Sequence, residues 1–128
     1  MLQETGIYKI VGSLYRTDYT PPDVQLLRKL LVLIEEDFRR ERDVEVYAQR
    51  MGFNITYLNK LTKAYLMETV YEVIQTRLLQ EASFMLKDTI LSVKQISYEL
   101  GYCDPSYFCK WFKQRVGVTP KMFRSSFK

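Results

Sequence analysis

The apolar positions of the chain recur at helical spacing from Pro21 onward. Leu27, Leu30, Leu31, Ile34 and Phe38 form one stripe, the pattern of a helix with a single buried face. Pro21-Pro22-Asp23 announces that helix, with Asp23 expected to cap its first turn, and the charged run at residues 39–43 ends it. Asp43 caps a short helix predicted over Val44–Met51. Gly52 supplies a turn that needs positive φ, and Asn54 caps a helix from Ile55 to about Leu66. Thr69 leads a long helix to about Lys87, with Val70, Ile74, Leu78 and Met85 along one side. Ser92 and Gln95 have the spacing of a capping box, which opens a helix over Val93–Leu100. After Gly101, the pair Asp104-Pro105 starts a helix to about Val116, and Gly117 stops it. Thr119-Pro120 restarts the chain as a short helix ending near Phe127. No strand pattern competes after residue 22, so the fold class is all-α, with about seven helices.

Two stretches repeat one another. At an offset of 49, Val44, Ala48, Met51, Gly52 and Phe53 match Val93, Ser97, Leu100, Gly101 and Tyr102. Beyond the turn the offset becomes 50, and Tyr57, Leu58, Lys60, Leu61 and Lys63 match Tyr107, Phe108, Lys110, Trp111 and Lys113. The second turn is one residue longer. Ala48 and Ser97 are small enough to let two helices approach, and the glycines allow a sharp reversal. This is the layout of a helix-turn-helix, present over about residues 43–66 and again over about 92–117.

The first expectation for such hairpins is a plain helical bundle, and it accounts for Phe108, Trp111 and Phe112 as core. It leaves the opposite faces unexplained. Thr56, Asn59, Lys60 and Lys63 share one of them, and Ser106, Cys109, Lys110 and Lys113 share the other. Short polar groups and lysines without a neighbouring carboxylate suit base edges and phosphates. By position, Thr56, Asn59 and Lys60 are candidate base contacts of the first unit. Ser106, Tyr107, Cys109 and Lys110 are those of the second. Lys63 and Lys113, one turn further on, are candidate phosphate contacts. So are the helix-opening amides at Ser92 and Thr119.

Charge points the same way. Of the 128 residues, 27% are charged and the formal net charge is +4. Residues 1–42 balance at 7 bases and 7 acids, whereas from Pro105 to the end there are six bases and no acid. A basic end of this kind is either a solvated tail or a surface for a polyanion; taken with the two outer faces, the expected partner is double-stranded DNA. No apolar run approaches the roughly 20 residues that cross a bilayer, and the first ten residues lack a secretory pattern, so the expected compartment is the cytoplasm. There is no histidine, and the two cysteines, six apart, fit no zinc pattern. No metal or cofactor is expected, and no enzymatic activity. Two other functions stay open. One is a protein-interaction domain using the stripe of residues 23–42. The other is a DNA-repair module using Cys103 or Cys109.

The motif Ile96-Ser-x-x-Leu-Gly-Tyr, then Ser106-Tyr-Phe, Phe112-Lys, Gly117-Val-Thr-Pro120 and Phe123-Arg124, resembles the DNA-binding domain of the AraC/XylS family of bacterial transcription regulators. The resemblance covers about Leu26 to Phe127 and includes Arg77-Leu-Leu-x-x-Ala82. Met67 stands where the family usually has glycine, and Thr62 where an aromatic is common. The resemblance implies two helix-turn-helix units joined by the long helix, with recognition helices 55–66 and 105–116 entering two successive major grooves. Such grooves lie about 34 Å apart, and the predicted connecting helix spans roughly 27 Å at about 1.5 Å per residue. RNA polymerase is an expected partner of a regulator of this kind, whether it activates or represses. A small-molecule effector is expected only if a sensor domain precedes the chain. Residues 1–22 are read as a linker or as the remnant of such a domain.

Overall fold

The computed structural model describes residues 21–127, and the expectation for the segment 1–22 falls almost wholly outside them. Among the described residues there are seven helices and no strand. They are α1 (Pro22–Asp37), α2 (Val44–Met51), α3 (Ile55–Leu66), α4 (Val70–Asp88), α5 (Val93–Glu99), α6 (Pro105–Val116) and α7 (Pro120–Ser125). Two compact units divide within α4, the first ending at Thr76 and the second starting at Arg77.

The helix starts follow from local hydrogen bonding. Asp43 Oδ1 accepts from the Glu45 amide at 3.0 Å, Asn54 Oδ1 from Tyr57 at 2.8 Å and Asp104 Oδ1 from Ser106 at 2.9 Å. Each satisfies a first-turn donor that the helix itself leaves unpaired. Ser92 and Gln95 form the expected reciprocal box. Thr69 and Glu72 form a second one at the head of α4, also reciprocal. The Asp23 expectation is corrected. α1 starts on Pro21 with no side-chain cap, because Pro22 at the first position removes one donor and Asp23 falls inside the first turn. The Asp23 carboxylate instead accepts from the Tyr65 hydroxyl at 3.0 Å.

In the first unit, Leu27, Leu30, Leu31, Ile34 and Phe38 of the α1 stripe are all buried, and they share a core with Tyr47, Ala48, Leu58 and Leu61. In the second unit, Ile96, Leu100, Tyr102, Phe108, Trp111 and Phe112 are buried. The Tyr102 ring lies 5.3 Å from Phe108 and 5.6 Å from Trp111, centre to centre, close enough for tilted aromatic contact. Arg124, in α7, donates to the carbonyls of Leu86, Met85 and Thr89 at 2.9, 3.3 and 3.3 Å. It thereby covers the last turn of α4, where helical carbonyls have no internal donor.

Candidate nucleic-acid interface

Each helix-turn-helix is set by the same backbone reversal. Gly52 and Gly101 take φ of 78° and 84°, a region open to glycine without a Cβ penalty. The residue after each glycine then donates back across the turn, Phe53 to Ala48 at 3.2 Å and Tyr102 to Ser97 at 2.9 Å. Ala48 and Ser97 are both buried, and their carbonyls take these bonds.

Beyond the turns the repeat is closer than the residue identities alone convey. From Phe53 to Glu72 and from Cys103 to Met122, every position falls in the same class of buried, half-buried or exposed as its partner at an offset of 50. Leu58, Leu61 and Thr62 face inward on α3, and Phe108, Trp111 and Phe112 face inward on α6. On the outer faces, Thr56, Lys60 and Lys63 are exposed, as are Ser106, Tyr107, Lys110 and Lys113. Neither α3 nor α6 contains a carboxylate. Every expected lysine therefore stands on a face suited to a polyanion.

Two shallow clefts mark these faces. On α6, Tyr107, Lys110, Trp111, Lys113 and Gln114 line about 590 Å³. On α3, Asn54, Thr56, Tyr57 and Lys60 line about 410 Å³. Tyr107 is 62% exposed, so it belongs to the surface rather than to the core. Tyr57 and Gln114 were not among the sequence candidates. The signal for Tyr57 was its match to Tyr107, and for Gln114 its place one turn after Lys110. Tyr57 stacks on Phe53, with ring centres 5.2 Å apart.

Three expected contacts sit differently. Asn59 is half-buried, and its Oδ1 accepts from the Val70 amide at 2.9 Å. Cys109, its counterpart, is also half-buried, and burial pushes its thiol above the ordinary range. The Ser92 amide is bonded to Gln95 Oε1 at 2.8 Å, so its donor is engaged within the protein. Thr119 caps α7, its hydroxyl accepting from the Met122 amide at 3.2 Å. The basic end is also less open than its charge suggests. Arg124 is held by carbonyls, and the Arg115 guanidinium lies 5.6 Å over the Trp111 ring.

Among the described residues, no cluster of three or more His, Cys, Asp or Glu side chains could hold a metal, and no helix is long and apolar enough to cross a membrane.

Comparison with known proteins agrees with this geometry. A family model described as a helix-turn-helix domain matches residues 47–126. Over 106 residues the chain is 32% identical to histidine kinase P4 of Formosa agariphila, covering 82% of this chain and 8% of that protein. Over 124 residues it is 30% identical to the HTH-type transcriptional regulator YdiP of Escherichia coli, covering 94% of this chain and 40% of that protein. The chain thus spans less than half the length of either relative. In fold it is similar to the DNA-binding domain of AdpA, a global transcriptional factor solved in complex with a target DNA. The TM-score is 0.71 at 18% identity, over 79% of this chain and 91% of that one.

Proposed function

Because the chain belongs to the AraC/XylS family of helix-turn-helix regulators, we propose that its two units each read DNA, with α3 and α6 entering two successive major grooves. The observation that carries this reading is the match of the two outer faces. Thr56 and Ser106, Lys60 and Lys110, and Lys63 and Lys113 hold equivalent exposed positions on helices without acids. In this reading Lys60 and Lys110 donate to guanine O6 and N7, and Thr56 and Ser106 bond whichever base edge lies opposite. Tyr57 and Tyr107 add apolar contact, with thymine methyls as the natural target. Lys63, Lys113 and the α7 start at Thr119 meet phosphates, which fix register without reading sequence. The complex that AdpA forms with its target DNA supports the same use of this fold.

As the family is one of transcription regulators, RNA polymerase is the partner we propose for the intact protein, in the cytoplasm. An effector would act through a further domain, and the chemistry of the chain gives no reason to assign it an enzymatic step. Selection of bound sequences from a random duplex library tests the reading. We expect an enriched motif with two half-sites about 10 base pairs apart. No retention of any duplex at low salt would reject it in favour of a protein-interaction domain.

A further inference from the structure

Asn59 sits on the flank of α3 beside Ile55 and Leu66, which are half-buried like itself. Its Oδ1 takes the amide of Val70, the first residue of α4 and a fully buried one. An amide at that position has no partner inside its own helix, and a buried donor without one is costly. The neighbouring donors at Thr69 and Glu72 are used by their own box, so Asn59 supplies what the box does not reach.

The second copy presents the same place without the demand. At an offset of 50, Val70 becomes Pro120 and Asn59 becomes Cys109. Proline has no amide hydrogen to satisfy, and position 109 carries a half-buried thiol in place of an amide. Donor and acceptor thus change together between two copies of one motif in one chain. A bidentate pair with adenine would need both the oxygen and the nitrogen of an asparagine amide, and the oxygen of Asn59 is engaged.

We propose that Asn59 is a positioning residue, not a base reader. Its bond to Val70 sets how α3 leads into α4, and so the angle at which α3 presents Thr56 and Lys60. This rests on the DNA-binding reading above and narrows the first half-site to what Thr56, Tyr57 and Lys60 can discriminate.

The test installs the second copy's pair in the first. Wild type, Asn59→Cys and the double variant Asn59→Cys/Val70→Pro are compared by thermal melting and by selection from a random duplex library. Asn59→Cys is expected to lower the melting temperature and to weaken binding about tenfold, the scale of one unsatisfied buried donor. The double variant is expected to recover both, with unchanged base preference at every position of the first half-site. A double variant that melts normally but loses preference at one base pair would show that Asn59 reads that base. A normal melt and normal binding for Asn59→Cys would show that the bond positions nothing. Should the double variant melt below the single one, Asn59→Asp decides, since it keeps the acceptor and lacks the amide donor. Retained base preference supports positioning, and lost preference overturns it. Wild type that retains no duplex would instead reject the DNA-binding reading itself, and this inference with it.

Discussion

The two recognition helices end in the same backbone conformation with different residues. α6 closes on Gly117 at φ 97° and α3 closes on Met67 at φ 64°. Met67 is the one non-glycine residue with positive φ among those described, and its side chain is 86% exposed. No packing of that side chain holds it there. The chain on either side is anchored instead, by buried Leu61 and Thr62 before it and Val70 and Val73 after it, and by the Asn59 bond to the Val70 amide. Glycine makes that geometry inexpensive but is not what creates it. The interiors differ in the same sense. Phe112 fills its site with a ring 6.1 Å from Phe108 and 5.4 Å from Phe123. Thr62, equally buried at the matching position, donates its hydroxyl to the Asn59 carbonyl at 3.3 Å. The second unit is held mainly by aromatic packing. The first is held by aliphatic packing against α1 and by side-chain bonds that satisfy polar groups near its core.

The largest effect that could break this comparison is a truncation at the matched interior positions. Phe112→Ala should destabilise by about 3–5 kcal/mol, the usual loss for a buried aromatic. Thr62→Ala should cost only about 1–2 kcal/mol, because it loses one weak bond and little volume. Equal losses in chemical denaturation would mean that the two interiors are not built differently. The single tryptophan, Trp111, lies in the second unit, so fluorescence follows that unit while circular dichroism follows both.

Next is the helix end. Met67→Gly should stabilise by about 1 kcal/mol and Gly117→Ala should destabilise by a similar amount, since a side chain at positive φ is strained by about 1–2 kcal/mol. A Cβ at Gly117 would meet no atom within 4 Å, so the loss measured there is conformational. A Met67→Gly protein no more stable than wild type would show that α3 relaxes the strain in another way.

A third difference is alkaline sensitivity. Tyr47 matches Ile96, and its hydroxyl donates to the Glu41 carbonyl at 2.8 Å. Burial, then the charges of Asp37 and Glu41, push its pKa from 10.0 to about 12. The folded state thus holds this proton more tightly than the unfolded state does. The stabilisation is complete below pH 10 and is lost as pH rises toward 12. Tyr47→Phe should remove that pH dependence from the first unit, at a loss of about 1 kcal/mol near neutrality. An unchanged alkaline slope in the variant would assign the effect elsewhere.

The smallest effect concerns phosphates. Lys63→Ala and Lys113→Ala should each lower affinity on all sequences and reduce the salt slope of binding by about 1. A change for only one of them would mean that the two faces meet the backbone unequally.

How much of this was legible in the sequence follows the range of each interaction. The caps at Asp43, Asn54, Ser92, Asp104 and Thr119 were readable because each bond spans two or three residues. The Thr69–Glu72 box has the same spacing and could have been read in the same way. Asp23 was misread because its partner, Tyr65, lies 42 residues away. Asn59 and Arg124 looked like free polar groups for a similar reason. Their partners lie 11 and at least 35 residues distant, and only folding brings them together. The inward faces of α3 and α6 were legible from apolar spacing and from the internal repeat, which also placed Lys60 opposite Lys110.

The equivalence of Lys60 and Lys110 can be measured by carrying Lys60→Ala and Lys110→Ala separately through selection from the random duplex library. Each substitution should erase base preference in one half of the enriched motif and leave the other half as in wild type, with the two variants affecting opposite halves. Two variants that lose affinity uniformly with no change in preference, or that alter the same half, would contradict it.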